Sequence, residues 1–288
     1  MYRKTTPALA LALLLALPAA CGGGADDDDT SRRSVVAAFY PLVFVAANVA
    51  GEHADVASIT PAGVEPHDLE LTAAQVRRVS EADLLIYLGD GFQPEVDRLV
   101  PEVRNTLDVL AVRPAASPAR DPHIWLDPVL MAAVTDAVAV ALAQVDPRNA
   151  ASYRENARQL VTRIQELDDA FQTGLTRCAR REIVTTHEAF GYMAERFNLE
   201  QVGIAGIDPD LEPTGRRLEE VAQLVRERNV TTIFYERLLP TELAETVAGE
   251  TGARTAVLDP LESPPPTGDY LTAMRANLQA LRTALDCR

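Results

Sequence analysis

Residues 146–175 read DPRNAASYRENARQLVTRIQELDDAFQTGL. Apolar side chains recur at Tyr153, Ala157, Leu160, Val161, Ile164, Leu167, Phe171 and Leu175. Steps of three and four place them along one face of a single long helix. No strand pattern interrupts the stretch. On either side of it, short β-rich runs alternate with helical patterns. The stretch therefore divides the chain into two halves of like organisation and is the rod between them.

Upstream, SVVAAFY (34–40), ADVASITP (54–61) and DLLIYLG (83–89) have the composition of strands. PLVFVAANVAGE (41–52) and TAAQVRRVSEA (72–82) have that of helices. DPVLMAAVTDAVAVALAQV (127–145) is a longer apolar helix, with Asp127 as its N-cap and Pro128 at its first position. Downstream the pattern restarts. Strand-like REIVTTHEAF (181–190), VTTIFYE (230–236) and ARTAVLDP (253–260) are interleaved with helical GYMAERFN, GRRLEEVAQLVRERN and PTELAETVAGETG, and DYLTAMRANLQALRTAL closes the chain. Alternating β and α units predict mostly parallel sheets covered by helices. The fold expected is α/β: two lobes, 34–145 and 176–288, each with a mostly parallel sheet flanked by helices, joined by one long rigid helix over 146–175.

The first residues have a different task. MYRKTTPALALALLLALPAAC starts basic, continues with an apolar run from Ala8 to Leu17, and ends in small residues before Cys21. The run is far short of the ~20 residues that span a bilayer, so residues 1–20 read as a signal peptide. Cys21 directly after Pro-Ala-Ala resembles a bacterial lipobox, although Pro18 stands where leucine is usual. That likeness implies cleavage before Cys21 and a lipid on its side chain, with 21–33 as a flexible tether. GGGADDDDTSRR buries nothing and repels itself.

A net charge of −15 without a basic block excludes nucleic acid as a partner. An apolar fraction of 47% is ample for the cores of two lobes. Beyond Cys21 the cysteines are Cys178 and Cys287. In an oxidising compartment they either pair or remain as two buried thiols.

The chain has four histidines. His67 lies in PAGVEPHDLELTAAQ, on the loop after the second strand. His123 lies in DPHIWLDP, framed by Asp-Pro on both sides. His187 ends the strand EIVTTH, and Asp259 ends the strand ARTAVLD. Ligands of open α/β sheets bind beyond the carboxyl ends of strands. These four groups stand at such ends, two in each lobe, so the lobes are expected to meet over one cation. Three imidazoles and a carboxylate suit tetrahedral Zn²⁺. Asp68, Asp121 and Asp127 are placed to accept a second imidazole N–H. Asp259 before Pro260 has a second reading, the cap of a turn. Glu236, at the end of TTIFYE, reads as solvent-facing, with a supporting place behind the metal ligands as the alternative. Trp125 reads as packing between the His123 loop and a helix. His53, in a polar turn, is assigned no role.

PAGVEPHDLELTAAQ, DPHIWLDP, THEAFGYMAERFNL, GIDPDLEPT and AVLDPL together resemble the solute-binding lipoproteins of zinc and manganese ABC importers. The resemblance spans nearly all of the mature chain. It implies a rigid helix between two lobes, one ion in the cleft, and ligands at His67, His123, His187 and Asp259. It implies as partners a permease and its ATPase, an extracytoplasmic location on the cell membrane or in the periplasm, a monomer, and no catalysis. Manganese-selective members of that group carry a carboxylate at the third ligand position. His187 stands there in this chain, so zinc is expected and manganese or iron is the alternative, for which a small rotation would offer the carboxylate of the neighbouring Glu188. A secreted zinc hydrolase using His67, His123 and His187 is the rival reading, but the chain lacks H-E-x-x-H. A lipid-anchored adhesin built on the same lobes is the third.

Overall fold

The computed structural model of the protein describes residues 1–2, 32–114, 121–209 and 211–288. The expected leader and tether, with Cys21, fall almost wholly outside the described residues.

The first lobe is built from β1 (Arg33–Ala37), α1 (Tyr40–Ala50), β2 (Ala54–Ser58), α2 (Ala73–Ser80), β3 (Leu84–Tyr87), α3 (Pro94–Leu99), β4 (Thr106–Asp108) and α4 (Pro128–Val145). Its four strands are parallel, in the order β2-β1-β3-β4. After the long helix α5 (Ala150–Gly174) come β5 (Glu182–Thr185), α6 (Gly191–Phe197), β6 (Glu200–Gly203), α7 (Gly215–Glu227), β7 (Thr232–Tyr235), α8 (Glu242–Thr251), β8 (Arg254–Val257) and α9 (Tyr270–Leu285). These strands are also parallel and take the equivalent order, β6-β5-β7-β8. Two parallel α/β lobes joined by a long helix are what the periodicity predicts. The central strands are buried on both faces, as parallel sheets require: Val35, Val36 and Ala37 of β1 and Ile183, Val184 and Thr185 of β5 are at most 1% exposed.

Two strands were not read from the sequence. β4 is only TLD and β6 only EQVG, each the edge of its sheet. Neither is rich in the β-branched and aromatic residues that announce a strand, because an edge position asks for little burial.

Helix boundaries follow local chemistry. Thr72 caps α2 through a reciprocal pair with Gln75. Asp127 caps α4 by accepting from Val129 N, and Pro128 occupies the first turn. α5 buries Tyr153, Ala157, Leu160, Ile164, Leu167 and Phe171, against α4, α1 and α9. Each large side chain so buried contributes about 1.5–3 kcal/mol of transfer free energy. An exposed ion pair on the outer face, such as Arg158–Glu155, is screened by water and adds little. Packing of the inner face therefore fixes the rod. Polar ties add direction: Asn156 Nδ2 donates to Val49 O at 3.0 Å, and Arg196 of α6 grips Asp168 of α5 at 2.5 and 2.6 Å.

The last helix returns to the first lobe. Tyr270 is fully buried, its ring 5.2 Å from that of Phe44 and its hydroxyl donating to Trp125 O. Trp125, also buried, lies among Phe39, Phe92 and His123. Its Nε1 donates to Pro260 O at 2.6 Å. The tryptophan thus packs beside the His123 loop as expected and pins that loop to the turn after β8.

Cys178 and Cys287 form a disulfide across a sequence separation of 109, which decides between the two readings of these residues. It ties the chain just after α5 to the end of α9. Replacing both by serine is predicted to lower unfolding free energy by about 2–4 kcal/mol. Denaturant titration reads this, and an unchanged midpoint would remove the bridge as a stabilising element.

Candidate metal centre

The carboxyl ends of both sheets point at one small volume. His67 comes from the loop after β2. His123 precedes a single 3₁₀ turn, Ile124–Leu126, that leads into α4. His187 stands two residues beyond β5. From each of these histidines, and from Glu262 beyond β8, one ligand atom lies within 4.8 Å of the others. His123 and His187 face each other Nε2 to Nε2 at 3.4 Å. Glu262 Oε1 is 3.4 Å from His123 Nε2 and 3.7 Å from His67 Nε2. Bonds of about 2.0–2.1 Å to a tetrahedral ion separate its ligand atoms by about 3.3–3.4 Å. The cluster is thus near the size of a zinc sphere before any ion is placed in it.

Burial sharpens the point. His123, His187 and Glu262 are at most 2% exposed. His67 Nε2 and Glu262 Oε1 are buried without a hydrogen-bond partner. Such orphaned atoms are rare and costly unless something binds them. The outward nitrogens are already satisfied. His123 Nδ1 meets Asp121 Oδ1 at 2.8 Å, and His187 Nδ1 meets Glu236 Oε1 at 2.6 Å. Each carboxylate is placed to accept the Nδ1–H of its ring, which turns Nε2 toward the cluster.

These groups hold one another's charge. Burial alone would lower the His123 pKa, but Asp121 and Glu262 outweigh it and raise it to about 9. Burial would raise Glu262, but the facing imidazoles of His123 and His67 hold its carboxyl well below the usual range. Glu65 is pushed up to about 9 by burial and then by the charge of Glu262.

The structure places the fourth expected ligand elsewhere. Asp259 is not in the cluster. Its Oδ2 accepts from Arg237 Nε and Nη2, both at 2.6 Å, and its Oδ1 accepts from Leu261 N at 2.8 Å. It caps a turn, the second reading its place before Pro260 allowed. That turn carries Leu261, buried, at φ 63°, a left-handed conformation costly for a branched side chain. The reversal brings Glu262 inward where Asp259 cannot reach. An acid two residues after an Asp-Pro was the available signal.

Other assignments also change. Glu236 is 2% exposed and accepts from Thr186 Oγ1 as well as facing His187. It is no solvent-facing residue. Of the three aspartates offered as imidazole partners, Asp121 takes the role. Asp127 caps α4 and faces Arg196 at 3.5 Å, and Asp68 is exposed. Glu188 lies outside the cluster, its Cγ packed so close to Gly203 that a Cβ there would meet it at 2.4 Å.

Fold and site together define a two-lobed α/β binding protein with a candidate metal centre between its lobes. The chain belongs to the ZnuA family, described as zinc-uptake complex component A, periplasmic, whose model matches residues 35–284. It is 29% identical over 315 residues to the high-affinity zinc uptake system protein ZnuA of Bacillus subtilis, covering 99% of each chain. It is 31% identical over 280 residues to the zinc-binding lipoprotein AdcA of Streptococcus pneumoniae, covering 88% of this chain but only 56% of that longer relative. Among solved structures, the laminin-binding protein Lmb of Streptococcus agalactiae, described as bifunctional with adhesin and metal-transporting activity, superimposes with a TM-score of 0.82 at 34% identity over 88% of this chain and 99% of Lmb. The Zn(II)-bound ZnuA-like domain of S. pneumoniae AdcA gives 0.78 at 31% identity, over 89% of this chain and all of that domain.

The two acids after β8 separate cleanly by mutation. Glu262→Ala is predicted to weaken zinc binding at least tenfold, and Asp259→Asn to leave it within about threefold. Competition titration with a chromogenic chelator reads both, and the reverse order would restore Asp259 to the site.

Proposed function

We propose that this chain is the extracytoplasmic zinc-binding component of an ABC importer, capturing one ion between its lobes and delivering it to a membrane permease driven by its ATPase. One observation carries the reading: three imidazole nitrogens and a carboxylate oxygen from both lobes converge within 4.8 Å, with two of them orphaned and buried. The ligands proposed are His67, His123, His187 and Glu262. Residues 1–20 are the leader proposed to direct export, and Cys21 the lipid-bearing residue of a tether over 21–33. The lobes are 34–145 and 176–288, with 146–175 as the rod.

Four protein ligands fill a tetrahedral sphere, whereas catalytic zinc keeps a position open for water. This supports transport over hydrolysis. Three nitrogens and one oxygen favour zinc, since manganese prefers oxygen. The continuous, well-packed α5 favours small lobe displacements on release over a wide hinge. The likeness to Lmb supports adhesion to host laminin as a second activity of the same lobes, which a solid-phase laminin assay separates from transport.

Elemental analysis of the protein produced without residues 1–33 is expected to give close to one zinc per chain. His187→Glu is expected to shift the zinc-to-manganese affinity ratio toward manganese by at least tenfold. A ratio that stays put would contradict the selectivity argument.

Binding must also expel a proton. In the metal-free protein His123 is raised to about 9, so at neutral pH it is protonated and cannot ligate. Its charge stabilises the metal-free fold fully below about pH 6.5, and that contribution fades as pH climbs through 9. Zinc affinity has the opposite trend and rises with pH up to about 9. Calorimetry at pH 7.5 in buffers of differing ionisation enthalpy is predicted to show at least one proton released per zinc. Zero release would contradict the His123 assignment.

A further inference from the structure

The loop that carries His123 is held from the opposite lobe. Asp121 is 5% exposed, and its Oδ1 accepts from both His123 N at 3.0 Å and, by facing it at 2.8 Å, His123 Nδ1. Its other oxygen lies directly over Gly191, the first residue of α6 in the second lobe. A Cβ built on Gly191 would stand 2.5 Å from Asp121 Oδ2, closer than real Cβ contacts come. The next residue, Tyr192, buried, donates its hydroxyl to Asp121 O at 3.3 Å.

The glycine is not required by its backbone. Gly191 is absent from the positive-φ residues, which among the described glycines are Gly51, Gly63, Gly91, Gly252 and Gly268. Its dihedrals suit an L-residue, and alanine is the better helix former. What glycine supplies at this position is room. The carboxylate above it is short and doubly engaged through Oδ1, so it cannot swing aside and still hold the imidazole.

We propose that Gly191 is a positioning residue for metal capture: by leaving space for the Asp121 carboxylate, it lets the second lobe set the orientation and tautomer of a ligand belonging to the first. This rests on the reading of His123 as a ligand. Tyr192 fixes the Asp121 backbone from the same helix turn. The segment 187–192 then performs two tasks, supplying His187 itself and bracing His123 across the cleft. The His123 ring is held with Nε2 aimed into the cluster only while the lobes are apposed. Separation of the lobes would release Asp121 from Gly191 and Tyr192 and loosen the ring.

A double-mutant cycle on zinc affinity tests this, with wild type, Gly191→Ala, Asp121→Ala and the double variant. Removing a carboxylate that orients a ligating histidine costs about 10–100-fold in metal affinity. Asp121→Ala is expected to fall in that range and Gly191→Ala to lose at least fivefold. With the carboxylate gone, the added methyl meets no obstacle, so the double variant should bind as Asp121→Ala does. Gly249→Ala, where a Cβ meets nothing within 4 Å, is the control and should bind as wild type. ¹⁵N-imidazole NMR of the metal-free protein above pH 9, where His123 is neutral, gives a readout that mere destabilisation would not move: four histidines give a readable spectrum, and Gly191→Ala should take His123 from a single Nδ1–H form to a mixture. Independent, multiplying losses, or an unchanged affinity and tautomer in Gly191→Ala, would overturn the inference. Failure of the wild type and Asp121→Ala to differ in zinc binding would instead strike the assignment of His123. If Gly191→Ala does not fold, Gly191→Ala in the Asp121→Ala background still reports, because the inference requires that protein to fold and to bind as the single Asp121 variant.

Discussion

Glu262 is a carboxylate with 2% of its surface in reach of water, set among three imidazoles. Burying an ion this deeply costs several kcal/mol unless charge of the opposite sign compensates it. His123 and His67 supply part of that compensation in the metal-free protein, which is why Glu262 stays ionised and His123 holds its proton. The four side chains are therefore in balance only while a positive charge sits among them. A divalent cation supplies that charge better than a proton, and it satisfies the two orphaned atoms as well. The arrangement of both lobes serves this one electrostatic requirement.

Positions are held from behind. Asp121 and Glu236 each grip the outward nitrogen of a histidine, Thr186 grips Glu236, and Trp125 pins the His123 loop to Pro260 on the facing turn. α5, α9 and the disulfide hold the frames from which these residues project. Removing any single ligand leaves its buried neighbours without a partner at the centre, whereas the frame rests on the apolar packing of α5 and α9 away from it. Sensitivity of binding and sensitivity of folding are thus expected to separate.

Much of this was legible in the sequence because periodicity and strand-end placement are local signals. The apolar stripe of α5, the N-cap at Asp127 and the three histidines all lie where pattern alone puts them. The missed features depend on three-dimensional turns. Asp259 and Glu262 are separated by a tight reversal at Leu261 with φ 63°, and no local pattern says which acid faces inward. Glu236 carries no mark in its own strand, since its partner His187 is 49 residues away. β4 and β6 escaped notice because short edge strands need neither length nor a buried face. The role of Gly191 is visible only once Asp121 is seen above it.

The central claim is the composition of the coordination sphere. X-ray absorption at the zinc edge on the loaded protein measures it directly. The account predicts four light-atom ligands at about 2.0–2.1 Å, with the multiple scattering of three imidazoles and no sulfur shell near 2.3 Å. A sphere of five or six oxygens, or fewer than three imidazoles, would contradict it.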